Sequence, residues 1–173
     1  AAIGGGDGAV IFIPGGGSAH PGAEDLPQHF LDAACRVAAG GQAVQFVAGP
    51  SFSRPIPGVT GLQLVRAPSG SVLMGLLARA RLVVVNGGDT LVQALVLGKP
   101  CLALPIARDQ VARVRWCAGR GVIHTTAPAA LADTVAGLLA NPDQCLQLIA
   151  NARALGWRDG LPQALAVMAR LME

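Results

Sequence analysis

The chain has 173 residues, with 13 basic and 10 acidic side chains for a net charge of +3, and is 52% hydrophobic, 13% charged and 3% aromatic. That length suits one domain with a sizeable core, and the apolar balance excludes a disordered chain. Scattered basic residues and few aromatics exclude a nucleic-acid surface, and no apolar run approaches the roughly 18 residues that a membrane span needs.

No charged leader precedes an apolar core, so no signal peptide is expected. Cys35, Cys101, Cys117 and Cys145 are widely spaced in apolar segments, and His20, His29 and His124 do not fall at ligand spacing. No structural metal is expected, and the cysteines read as free, buried thiols in a reducing, cytoplasmic compartment.

In chain order, residues Ala1 to Gly8 are Gly-rich and read as a frayed start or a linker remnant, with one domain expected over 9–173. Ala9 to Ile13 is apolar and predicts a strand that runs into the loop Pro14-Gly15-Gly16-Gly17-Ser18. This is not the dinucleotide fingerprint, whose last glycine would fall at His20, nor a P-loop, because the sole lysine, Lys99, follows a helix instead of opening one. A helix is expected from Glu24 to Ala39, with Phe30, Leu31, Ala34, Cys35 and Val37 on one face, and a strand from Ala43 to Ala48. The segment from Gly49 to Gly61, rich in Pro, Ser and Gly, reads as a mobile loop. Leu62 to Arg66 predicts a strand, and Ser69 or Ser71 can cap the helix that continues to Ala80.

The stretch Leu82-Val83-Val84-Val85-Asn86-Gly87-Gly88-Asp89-Thr90 then stands out. An unalternating β-branched run reads as a strand buried on both faces. Two glycines follow, Asp89 or Thr90 sits where an N-cap belongs, and a short apolar helix follows that Gly98 closes and Pro100 stops. Strand, tight turn and helix bring bare N–H groups and a positive helix end to the carboxyl edge of a sheet, where an anion can bind. The plainer reading is an ordinary turn whose glycines only reverse the chain. Cys101 to Pro105 predicts another strand, Asp109 to Ala118 a helix with Trp116 packed on the sheet, and Val122 to His124 a short strand. Helices are expected over Pro128 to Ala140, Pro142 to Ala154 and Leu161 to Met172. The sum is an α/β fold: a doubly wound, Rossmann-like, mostly parallel sheet of about six strands with helices on both faces.

The pattern Asn86-Gly87-Gly88, Thr90, Gln93, Gly98-Lys99-Pro100, Pro105 and Asp109-Gln110 resembles the donor-binding half of nucleotide-sugar glycosyltransferases of the GT-B fold, especially the peptidoglycan N-acetylglucosaminyltransferases. The resemblance is strongest over about residues 80 to 125. It implies a UDP-sugar donor whose diphosphate is held by Gly87, Gly88, Asp89 and Thr90, with Gly16, Gly17 and Ser18 facing the phosphates from the first loop. It also implies that Gln93 binds the ribose, that Asp109 and Gln110 bind the donor sugar, and that Val65, Arg66 and Ala67 receive the base through backbone contacts. Two positions depart from the family: Gln93 replaces a carboxylate, giving a weaker ribose acceptor, and Asn86 stands where His or Ser is usual.

Sugar transfer needs a stabilised diphosphate leaving group and a base for the acceptor hydroxyl. The amides near Gly87, the helix dipole and Arg108 offer the first, at roughly 1.5–3 kcal/mol per charge-assisted hydrogen bond. The Asp89 carboxylate would compete for the same helix end, and an N-cap of an empty site explains it equally well. No acceptor base is evident. The resemblance assigns that group to an amino-terminal acceptor domain missing from this chain, which is therefore expected to bind nucleotide and turn over little alone. The chain is then the donor-binding domain of a larger enzyme or one subunit of a split enzyme whose partner subunit carries the acceptor half, and any peripheral membrane contact falls to the missing domain. Two alternatives stay open: a nucleotide-sugar hydrolase or epimerase using His20 and Asp109, and a non-catalytic interaction domain on the same scaffold.

Overall fold

Aliphatic and β-branched runs account for every strand of a single parallel sheet. The computed structural model describes residues 8–16, 24–157 and 161–171. Its strands are β1 (Val10–Ile13), β2 (Val44–Ala48), β3 (Leu62–Arg66), β4 (Leu82–Asn86) and β5 (Cys101–Leu104), in the spatial order β3-β2-β1-β4-β5. Phe12 pairs with Phe46 on one side and with Val84 on the other. Strands β1 and β4 are central and buried along their whole length, which is why neither alternates with polar residues. Strand β3, at one border, is half exposed.

The helices are α1 (Leu26–Ala39), α2 (Gly70–Arg79), α3 (Asp89–Val96), α4 (Arg108–Gly119), α5 (Leu131–Ala140), α6 (Pro142–Ala154) and α7 (Leu161–Leu171). Successive strand residues point to opposite faces and divide the core in two. Val10, Phe12, Phe46, Val84 and Leu102 pack with Phe30 of α1 and Val135 of α5. Ile11, Ile13, Val83, Val85 and Ala103 pack with Leu77 of α2, Leu91 and Leu95 of α3, and Val114 of α4. Burying a side chain of this size stabilises by roughly 1.5–3 kcal/mol, so the two layers together hold the sheet. No helix among the described residues is long and apolar enough to cross a membrane.

Several expectations change. The sheet has five strands instead of about six: His124 makes one parallel bridge to Leu102, through His124 N–H to the Cys101 carbonyl (2.9 Å) and Ala103 N–H to the His124 carbonyl (3.0 Å). Val122 and Ile123 are buried, but the chain turns toward Pro128 before a second rung forms. A 3-10 turn, Pro128–Ala130, precedes α5. Trp116 does not pack on the sheet. The buried face of α4 is Gln110, Val114 and Cys117, so Trp116 falls off it, 44% exposed, with the Arg120 guanidinium 3.9 Å from its ring centroid. Ser69, not Ser71, caps α2, accepting the Val72 N–H. Helix α1 starts at Leu26, behind Asp25 and with Pro27 in its first turn. Cys101 and Cys117 are buried, while Cys35 and Cys145 are half-buried; all four are free. The segment after β2 lacks regular structure, yet Phe52 pins it, buried edge-on against Phe46 with ring centroids 5.2 Å apart. Residues 1–7 of the expected linker lie outside the described residues.

Candidate functional site

From β1 the chain winds outward through β2 to β3, and from β4 it winds the other way to β5. The loops leaving the adjacent carboxyl ends of β1 and β4 therefore diverge, which opens a crevice where sheets of this kind bind ligands. A cleft of about 430 Å³ occupies it. Gly15 and Gly16 after β1 form one wall, Gly49 and Pro50 after β2 with Ala67 and Pro68 after β3 a second, and Asn86, Gly88, Asp89 and Thr90 a third. Ile106 and Gln110, after β5, complete it.

Two buried amide side chains set the shape of this cleft. Asn86, 8% exposed, donates from Nδ2 to the Pro14 carbonyl (3.2 Å) and accepts the Gly88 N–H on Oδ1 (2.8 Å). It thereby ties the end of β4 to the loop after β1. Gln110, 9% exposed, accepts two backbone N–H groups on Oε1, from Gly87 (3.0 Å) and Ile106 (3.1 Å). The Gly87 carbonyl accepts from Arg113 Nη1 at 2.7 Å, so α4 holds both polar groups of that residue. Gly87 must be glycine: a Cβ there would stand 2.6 Å from Val114 Cγ2 and 2.9 Å from Gln110 Cβ. Gly15 sits at φ +110°, and a Cβ on it would collide with the Asn86 side chain.

The helix start also differs from expectation. Gly88 is the N-cap of α3, and Asp89 is its first helical residue, so neither Asp89 nor Thr90 caps it. The Asp89 carboxylate is 95% exposed and lies 3.8 Å from Arg113 Nη1. Because the Gly87 and Gly88 amides are spent on Gln110 and Asn86, and Leu91 N–H bonds the Gly88 carbonyl at 3.2 Å, the amides of Asp89 and Thr90 are left without a partner among the described residues. They line the cleft at the positive end of α3.

Of the residues singled out in the sequence, Gly16, Gly88, Asp89, Thr90, Ala67 and Gln110 come together around the cleft. Gly87 lies just behind it, buried against α4. Gln93, one turn along α3, and Asp109 and Arg108, at the start of α4, are exposed and outside its lining. Val65 is half-buried against the core and Arg66 is exposed. Gly17, Ser18 and His20 lie outside the described residues. Among the described residues no three His, Cys, Asp or Glu side chains come together as a metal site.

Sequence reasoning missed the two amide ties and the left-handed conformation of Ala67. That residue is held at φ +38°, unusual for a side chain with a Cβ, while its N–H bonds the Ala48 carbonyl at 2.9 Å. The left-handed conformation turns the chain sharply from β3 to α2 and puts Ala67 and Pro68 at the cleft wall.

No family model matches the sequence, and no curated protein matches it. Solved structures do. The glycosyltransferase of kitacinnamycin superposes over 95% of this chain and 43% of its own at TM-score 0.67 and 20% identity. MurG from Acinetobacter baumannii matches over 84% of this chain and 45% of its own, at TM-score 0.58 and 15% identity. The C-terminal CMP-Kdo binding domain of WaaA from the same organism matches over 87% of this chain and 90% of its own, at TM-score 0.54 and 15% identity. The chain thus spans less than half the length of the two full glycosyltransferases. It has the fold of one half of a GT-B glycosyltransferase.

Proposed function

We propose that this chain binds a nucleotide-diphosphate sugar as the donor half of a glycosyltransferase, and that an acceptor-binding half completes the enzyme and supplies the base. The observation that carries this reading is the pair of unpartnered amides, Asp89 and Thr90, at the positive end of α3, inside the cleft at the sheet's switch point. An anion there gains hydrogen bonds without displacing any existing partner among the described residues, at roughly 1.5–3 kcal/mol each. The exposed Asp89 carboxylate has Arg113 beside it to offset its charge.

In this reading the diphosphate lies across Asp89 and Thr90, with Gly88 beside them, Gly87 holding the turn from behind and Gly16 on the opposite wall; Gly17 and Ser18, next in sequence, are further candidate ligands. The nucleobase rests on the wall after β3 at Ala67, with Val65 and Arg66 offering backbone groups from the end of that strand. Gln93 reaches back one turn to the ribose, and Asp109 with the free Nε2 of Gln110 meets the sugar. A uridine donor is the first choice, because the motif resembles UDP-sugar enzymes. Because the acceptor-binding half supplies the catalytic base, the chain alone is expected to bind without turnover. Its free cysteines fit a cytoplasmic location.

The test is calorimetric titration with UDP, then GDP, dTDP and CMP, repeated on Gly88→Val, whose Cβ would stand 2.8 Å from Asn86 Oδ1. Saturable binding of one nucleotide that the substitution abolishes supports the reading. Equal binding by the variant, or none by the native chain, sinks it.

A further inference from the structure

Gln110 occupies the position that the family resemblance gives to a donor-sugar ligand, but its carbonyl oxygen is already saturated. An amide oxygen offers two lone pairs, and Oε1 spends both, on the Gly87 and Ile106 N–H groups. One bond crosses from α4 to the turn after β4; the other closes the loop between β5 and α4. Arg113, three residues further along α4, binds the Gly87 carbonyl on the same side. The turn that aims the first amides of α3 is therefore clamped from α4 at both polar groups of one residue, and Gln110 Cβ fills the space that a Gly87 side chain would need.

We infer that Gln110 is a positioning residue for the diphosphate site, acting through the Gly87 turn, and that loss of its oxygen weakens binding of the nucleotide whether or not a sugar is attached. This rests on the donor-site reading above and specifies how that site is kept in shape. If the turn relaxes, the Gly87 N–H is free to rotate toward the cleft and the Asp89 and Thr90 amides lose their common direction. A ligand must then order them on binding, which lowers affinity. A residue touching only the sugar would leave the sugar-free nucleotide unaffected.

The experiment compares the native chain with Gln110→Met, which keeps the length but has no comparable acceptor, and Gln110→Glu, which keeps an oxygen for both N–H groups. Affinities are measured for the pairs UDP and UDP-glucose, and dTDP and dTDP-glucose, alongside amide hydrogen exchange at Gly87, Ile106 and, as a reference inside β4, Val84. In Gln110→Met, the sugar-free member of the bound pair is expected to weaken about tenfold, and the sugar-bearing member at least as much, because it also loses the Nε2 contact to the sugar. Exchange should rise at Gly87 and Ile106 but not at Val84, and Gln110→Glu should restore protection at both. Weakening confined to the sugar-bearing member, or unchanged exchange at Gly87 and Ile106, overturns the inference. Failure of the native chain to bind any of the four ligands overturns the donor reading instead, and the exchange data still decide whether the clamp exists.

Discussion

At the carboxyl edge of the sheet the buried polar side chains are neutral amides, Asn86 and Gln110, and both are spent on backbone groups of the loops. At the amino edge the polar groups are charged and sit at the rim. Arg36 pairs with Asp133 at 2.7 Å, and Arg81 makes 3.4 Å bonds to Gln42 and to the Leu139 carbonyl beside a cleft of about 390 Å³. The helix ends follow the same division. Arg36 and Arg79 lie in the last turns of α1 and α2, where cations offset the carbonyl ends, while the first turns of these helices carry no acidic residue. One edge is electrostatically closed. The other is fixed mainly by neutral amides, with Arg113 added at the Gly87 carbonyl, and the positive ends of α1 and α2 there carry no acidic residue.

Substitutions at the two edges should therefore differ in size. The largest loss is expected for Gly49→Ala, whose Cβ would press on the Gly15 and Gly16 carbonyls, standing 2.5 Å from the latter. The obstacle is backbone, so the two loops must part. We expect about 3 kcal/mol lost in urea unfolding, with loss of nucleotide binding. Next comes Asn86→Leu, which strands the Gly88 N–H and the Pro14 carbonyl and should cost about 2 kcal/mol. Its amino-edge counterpart, Gln42→Leu, gives up one 3.4 Å bond and should cost less than about 1 kcal/mol. Equal losses from the two leucine substitutions would erase the distinction between the edges.

The parts of this arrangement that were legible in the sequence are those that local pattern encodes. Strands β1 and β4 and the glycine turn between β4 and α3 are visible because burial on both faces and tight reversal each demand particular residues. The amide ties are not visible. Gln110 meets Gly87 across 23 positions, and nothing local distinguishes a glutamine that binds backbone from one that faces solvent or ligand. For the same reason the motif names Gly87, Gly88, Asp89 and Thr90 together, without distinguishing the first two amides, which are spent on Gln110 and Asn86, from those of Asp89 and Thr90, which stay open. Trp116 and the short segment before His124 were over-read because apolar character alone does not say whether a residue meets the core or how many rungs a strand completes.

The edges should also separate by pH. Cys101 opens β5 at the amino edge, fully buried, with Sγ donating to the Lys99 carbonyl at 3.3 Å. Burial, with a smaller contribution from neighbouring Cys117, pushes its thiol far above the ordinary range. An unfolded thiol ionises near about 8.5. Because the folded value is the higher one, this contribution to stability is complete below that pH and declines as pH rises above it, by about 1.4 kcal/mol per pH unit for the one thiol. Asn86 and Gln110 do not titrate, so the cleft should keep its shape as long as the chain stays folded. Urea midpoints at pH 8, 9 and 10 should fall for the native chain and fall less steeply for Cys101→Ala. A parallel fall in both would place the alkaline sensitivity elsewhere.

The smallest effect tests whether the charged rim matters to the fold at all. The Arg36 and Asp133 side chains are 59% and 73% exposed, so water and salt screen their attraction, and ordering two mobile side chains offsets part of the gain. The short contact joins α1 to α5, but Phe30, Ala34, Leu131 and Val135 already hold those helices together beneath it. Arg36→Ala should therefore cost less than about 1 kcal/mol, and the cost should vanish in 0.5 M salt. A loss above about 2 kcal/mol that persists at high salt would mean that the amino edge depends on its ion pair much as the carboxyl edge depends on its amides.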